Sequence, residues 1–312
     1  MSGINSTVVL FWFYKEIPLC QERLEHFKKF NPNLLIYGLY GGEKPKLGML
    51  DDIATYMEHL YIFEKPASAK WKWMNGDQML IDWYREVGFE FSWNKVFILQ
   101  WDLIMYQPLD YFIGDVKDNQ YVIPGTRNIE NVKTWWPWFE ENKINKFRSY
   151  LKESLNYEGV LSCSLFICAL LPRDFFEYFK NKEYPESYFL EYKIPTLLNA
   201  LDFEVYAPPC FNPYWAAEIV EDYISVENRN LIAVGQGISK AVVKKNLLLN
   251  RHMIFHPCYE SLLEIDYSAP DFRFVDRLTL LRMNVVNYIK FIIKRWIGYD
   301  RRNRKGLLKF IK

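Results

Sequence analysis

Lys95-Val96-Phe97-Ile98-Leu99-Gln100-Trp101-Asp102 is the stretch on which the reading of the fold turns. Its apolar residues run on without alternation, as in a strand buried on both faces of a largely parallel sheet. Asp102 follows directly, which places a carboxylate at the carboxyl end of that strand, where open α/β sheets bind ligands. An acid after such a run is costly unless it serves a metal, a partner or a solvated crevice. The plainer alternative is that Asp102 caps the turn that follows.

Working outward, similar runs stand at residues 7–13, 34–40 and 59–63, with helical patterns between them. Residues 17–30 carry Pro18 in the first turn. Residues 76–88 follow a capping candidate, Asn75, and align Met79, Leu80, Trp83, Tyr84 and Val87 on one stripe. Strand and helix in alternation predict an α/β domain with a central, mostly parallel sheet flanked by helices. Farther along, the pattern predicts helices at about 140–154, 172–181 and 188–201, a buried strand at 160–168 and a loop-rich stretch at 207–235.

Half of the 312 residues are hydrophobic and 18% are aromatic, which supplies a large core and excludes disorder. The net charge of +1 hides an asymmetry. Residues 273–312 hold 12 Lys or Arg against Asp276 and Asp300, a net of +10, while the remainder carries −9. A helix expected at 272–298 is apolar over most of its surface and leads into Arg301-Arg302-Asn303-Arg304-Lys305, the composition of an interfacial membrane helix. The alternative is that this helix packs on its own domain. The near-balanced total and the lack of a recognised module argue against nucleic acid as a partner.

Five scattered cysteines without a close pair suggest neither a disulfide framework nor a zinc site, and fit a reducing cytosol. No basic segment precedes the apolar run at 8–14 as in a signal peptide, and no window reaches the length of a membrane span. A cytoplasmic protein, peripheral on a membrane through its basic end, is the expectation. Phosphate-loop, dinucleotide and nucleophile-elbow motifs are missing.

The stretches YGLYGG (37–42), WKWMNGDQMLIDWY (71–84), ILQWDLIMYQPLDYF (98–112), LPRDFF (171–176) and FLEYKIPT (189–196) resemble a bacterial-type family of glycosyltransferases with the GT-A fold. The resemblance covers about residues 7–260. It implies a nucleotide-sugar donor, a UDP- or GDP-sugar, bound on an N-terminal half (about 1–130), and a glycan or lipid-linked saccharide acceptor bound on a second half (about 131–271). Residues 272–312 then form a basic amphipathic end. It also implies Mn²⁺ or Mg²⁺ held by an acidic motif after a central strand. Here that motif reads Gln100-Trp101-Asp102, so its first acid is replaced by an amide.

On the same resemblance Asp102 is both a catalytic and a metal-binding candidate, and His256 is the downstream metal ligand, with His252 four residues before it. Imidazole and carboxylate together suit a hard cation that bridges phosphates. Glu191 matches the general base of inverting members, which takes the proton of the attacking acceptor hydroxyl. Tyr14, Tyr40, Lys72, Asp77, Gln100, Trp101 and Arg127 are expected on the donor side, with Lys72 or Arg127 stabilising the leaving diphosphate. Trp135, Trp136 and Tyr192 are expected on the acceptor side, as is the Trp135-Trp136-Pro137-Trp138 cluster, and Trp71, Trp73, Trp135, Trp136 and Trp138 are polar-flanked rings able to stack on a base or a pyranose face. Each residue has a plainer reading: Asp77 and Glu191 as acids in first helical turns, the tryptophans as core, the histidines as ordinary surface or core-edge residues. A catalytically inactive binding module and a membrane-peripheral scaffold are the rival functions.

Overall fold

The computed structural model describes residues 7–134, 136, 138–208, 211, 231–233, 237–248, 253–263 and 265. The N-terminal half follows the alternating pattern: β1 (Thr7–Phe13), α1 (Ile17–Phe30), β2 (Ile36–Tyr40), α2 (Asp51–Ala54), β3 (His59–Ile62), α3 (Ala69–Met74), α4 (Gly76–Glu86) and β4 (Lys95–Gln100). Then come β5 (Ile104–Met105), α5 (Leu109–Ile113), β6 (Gln120–Tyr121), β7 (Arg127–Asn128), α6 (Glu141–Leu155), β8 (Ser162–Cys163), β9 (Cys168–Pro172), α7 (Arg173–Lys180) and α8 (Leu190–Ala200). β10 (Glu204–Val205), β11 (Leu231–Ala233), α9 (Lys240–Leu248) and β12 (Ile254–His256) complete the described elements.

The central sheet has the order β3-β2-β1-β4-β9. β1 pairs in parallel with both β2 and β4, and β2 with β3, while β9 runs antiparallel to β4. Progression from β1 to β3 moves one way across the sheet, and β4 returns to the other side of β1. The strand order therefore reverses between β1 and β4, and the carboxyl ends of strands at such a reversal are the usual ligand position of an open α/β sheet. β1 is buried along both faces, since Val8, Leu10 and Trp12 and the alternate set Val9, Phe11 and Phe13 are all in the core. The first set joins Met79, Leu80 and Trp83 of α4 and Phe176 of α7 in one large cluster.

Two expectations are corrected. The strand predicted at 160–168 is broken: Ser162–Cys163 pair with β7, residues 164–167 form a loop, and the strand beside β4 begins at Cys168. An apolar run cannot by itself distinguish a sheet strand from a buried loop. Asn75 makes no capping hydrogen bond to α4; its Nδ2 donates to Trp71 O at 3.2 Å, closing α3 instead. Residues 272–298 lie outside the described residues. Among the described residues no helix is long and apolar enough to cross a membrane.

Candidate functional site

Asp102 lies two residues past β4, and Trp101 N donates to Trp12 O at 3.0 Å, so the chain stays in register with β1 up to the carboxyl end of the strands. From the far end of the chain, β12 pairs antiparallel with β5, setting Ile254 against Met105 and Phe255 against Ile104. Cys258 N donates to Asp102 O at 2.7 Å. These contacts bring His256 to Asp102, with Nε2 3.3 Å from Oδ1. The pair is close but lacks hydrogen-bond alignment, and the buried Oδ1 has no hydrogen-bond partner.

An unpartnered carboxylate oxygen beside an imidazole nitrogen fits a hard divalent cation. Neighbouring donors on an octahedral shell with bonds of about 2.1 Å stand about 3.0 Å apart. Asp102 and His256 would hold Mn²⁺ or Mg²⁺ there, and the ion's chemistry would be to neutralise charge on a diphosphate. No cluster of three or more His, Cys, Asp or Glu ligands occurs among the described residues, so water and phosphate oxygens would complete the shell. His252 lies outside the described residues.

The segment after His256 is clamped from α1. Arg23, buried and paired with Glu22 at 2.7 Å, donates to Glu260 O at 2.7 Å, while Glu22 Oε1 accepts from Leu262 N at 2.6 Å. Charges that would be expensive alone are thereby paired, with only Arg23 Nε left without a partner, and they fix the loop. The sequence reading missed this clamp and also missed Tyr259. Tyr259, 53% exposed, stacks on Trp101 with centroids 5.8 Å apart, and Tyr14, 46% exposed, meets Trp101 edge-on at 5.7 Å. The Lys15 ammonium lies 5.2 Å from the Trp101 ring and 5.7 Å from each tyrosine ring. Two open aromatic rings and a cation thus border Asp102; the signal for Lys15 was its place beside Tyr14, and for Tyr259 its place three residues after His256.

The place of the missing acid is occupied by an amide that faces elsewhere: Gln100 Nε2 donates to Phe166 O at 2.7 Å. The other end of that region is bound to Glu191, whose Oε1 accepts from Phe166 N at 3.3 Å. Pro195 explains why the loop docks there. It sits four residues after Glu191 inside α8 and has no N–H, so the Glu191 carbonyl lacks its usual helical donor. Ser164 supplies it twice, from N at 2.8 Å and from Oγ at 3.2 Å. The residue pattern Glu-Tyr-Lys-Ile-Pro therefore ties α8 through residue 166 to the end of β4. Part of Glu191 remains accessible, yet dense surroundings desolvate its carboxyl and push its pKa up to about 8.

Other expected site residues are placed as follows. Lys72 Nζ donates to Gly41 O at 2.8 Å and Gly42 O at 2.7 Å, at the carboxyl end of β2, and burial lowers its pKa. Gly42 is needed there because a Cβ would come within 2.3 Å of Tyr40 Oη and 2.5 Å of Tyr14 O. Asp77 is in a buried ion pair with Lys193 at 2.8 Å and accepts from Tyr184 Oη at 2.6 Å; its Oδ1 has no partner. Burial raises the Asp77 pKa and lowers that of Lys193, and the short pairing offsets both.

Arg127, expected on the donor side, lies in the β7–β8 pair opposite Cys163, and its Nε donates to Gly125 O at 3.2 Å. Both Arg127 and Glu191 influence the Cys163 thiol, so Arg127 belongs to the Glu191 side. Tyr40 and Trp101 are buried, and direct donor contact gives way to packing. Trp136 and Tyr192, expected to touch the acceptor, are core residues at 4% and 1% exposure, with rings 6.3 Å apart. Trp135 lies outside the described residues.

No protein-family model and no curated protein matches the sequence. Among solved structures it is similar to the apo form of WbbM, a bifunctional glycosyltransferase, at 11% identity and TM-score 0.39, covering 84% of this chain and 47% of that one. The chain therefore spans about half of that enzyme's length. It is also similar to the galactosyltransferase LgtC, solved with donor and acceptor sugar analogues, at 10% identity and TM-score 0.40, covering 70% of this chain and 78% of that one. A third likeness, at 10% identity and TM-score 0.38, is to a glycosyltransferase involved in glycosylating the major capsid of PBCV-1, covering 83% of this chain and 96% of that one. Likenesses this distant leave the functional argument to the site itself.

Proposed function

We propose that the protein is a metal-dependent glycosyltransferase that moves a sugar from a nucleotide donor to a saccharide or lipid-linked saccharide acceptor, with inversion. The observation that carries this reading is the convergence beyond the carboxyl end of β4 of Asp102, His256 and, through the backbone N and O of Phe166, Glu191. Asp102 and His256 would hold the cation, whose chemistry when bound would be charge neutralisation on the leaving diphosphate. Tyr14 and Tyr259 offer ring faces to the nucleobase and Lys15 a cation to the phosphates. Glu191 takes the proton of the acceptor hydroxyl as that oxygen attacks the anomeric carbon.

The test is slow hydrolysis of nucleotide sugars by the full chain with Mn²⁺. Loss of Asp102 in Asp102→Ala is expected to lower the rate by at least about 100-fold, since a bound cation contributes several kcal/mol to such a step. Absence of both hydrolysis and metal-dependent nucleoside diphosphate binding would refute the transferase reading. For residues 272–312 we propose peripheral attachment to an anionic membrane surface, supported by their net charge of +10. Flotation with phosphatidylserine vesicles of the full chain against residues 1–271 tests it, and equal flotation of the two would dismiss it.

A further inference from the structure

Trp73 and Trp138 are large apolar side chains left 49% and 39% exposed, although the core beside them accommodates Trp136, Phe189 and Tyr192. Their rings meet edge to face at 4.8 Å, and both lean on Phe189, at 5.2 and 5.4 Å. Two indoles at 71° form a corner with Phe189 as its backing. The corner is bounded by chemistry already described. Trp73 follows Lys72, which holds the carbonyls at the end of β2, and Phe189 precedes Glu191 by two residues. Along the chain just after Trp138 come Glu140 and Lys143, paired at 2.8 Å with side chains 57% and 41% exposed.

We infer that Trp73 and Trp138 form the acceptor subsite and receive a pyranose ring of a saccharide. An aromatic floor with a few polar groups at its edge is the lining expected of a small-molecule site, and it suits a ring whose C–H face is apolar and whose hydroxyls point outward. Glu140 and Lys143 are the charged groups nearest in sequence to Trp138 that offer partners to those hydroxyls. Phe189, the backing of both indoles, lies two residues before Glu191, and that nearness along the chain selects a saccharide over an unrelated protein partner, because the base must lie within reach of the acceptor hydroxyl. This inference rests on the transferase reading for its purpose, but its binding consequence is measurable alone.

The experiment exposes the full chain to an array of immobilised oligosaccharides and compares it with W73A/W138A and with the ring-conserving W73F/W138F. Circular dichroism confirms that each variant is folded. The expected result is saccharide retention that falls at least tenfold in the alanine variant and is restored largely by phenylalanine. Retention that is absent, or equal in the alanine variant, overturns the subsite; ring-dependent flotation with vesicles in place of saccharide binding overturns it too. Mn²⁺-dependent binding of UDP and GDP by the unmodified protein is measured in parallel. Saccharide binding without nucleotide binding leaves the subsite standing and removes the transferase; the reverse removes the subsite alone.

Discussion

At the scale of single residues, a carboxyl held near pKa 8 has a direct kinetic consequence. Glu191 is the conjugate acid below that value, so a base-dependent transfer should rise with pH toward about 8 and level off above it. Glu191→Gln is expected to slow transfer by about 10²- to 10⁴-fold and to abolish this rising limb; a variant that keeps the limb would show that another group is the base. Asp102 could be singled out in the sequence because an acid closing an apolar strand is out of place energetically, whereas His256 was marked only by the resemblance to GT-A glycosyltransferases. Tyr40, Trp101, Trp136 and Tyr192 could not be assigned so well, since an aromatic residue carries no mark of which side of its ring meets solvent. Lys193 escaped notice for the opposite reason: a lysine in a helical stretch reads as surface until its partner is known.

At the scale of elements, α4 and α8 are joined by the Asp77–Lys193 pair, which is shielded from water and supported by Tyr184. Removing one member strands the other. Lys193→Met should therefore destabilise the protein by about 3–5 kcal/mol, whereas the double change Asp77→Leu with Lys193→Met should cost much less. Urea unfolding of the three proteins checks this, and equal losses in single and double variants would count against the pair. The helix ends were legible to within a few residues, because their apolar stripes and Pro18 are local signals. The break at residues 164–167 was not. It exists because Pro195, about 30 residues onward, leaves a carbonyl for Ser164 to satisfy.

At the scale of the whole molecule, two buried groups set opposing limits on stability against pH. His26 is desolvated, its Nε2 bonded to Met105 O at 2.9 Å, and its pKa is lowered from 6.5 to about 4. Its unfolded counterpart takes a proton first, so its contribution is complete above about 6.5 and is lost as pH falls toward 4. Glu191 has the reverse sign: its pKa is raised from 4.5 to about 8, so its contribution is complete below 4.5 and is lost as pH rises through 8. The unfolding free energy should decline on both sides of mildly acidic pH. Denaturant melts between pH 4 and 9 should show His26→Gln flattening the acid side and Glu191→Gln the alkaline side.

What the sequence determined by itself was the layered order of strands and helices, the carboxyl-edge position of Asp102 and the charge division near residue 272. These depend on local periodicity, which hydrophobic burial enforces wherever the chain goes. Only the tertiary structure decided that His256 meets Asp102, that Phe166 links Gln100 to Glu191, and that Trp138 is open while Trp136 is closed. Each of those outcomes rests on contacts between segments far apart in the chain, and local patterning cannot specify which distant group will satisfy a given buried atom.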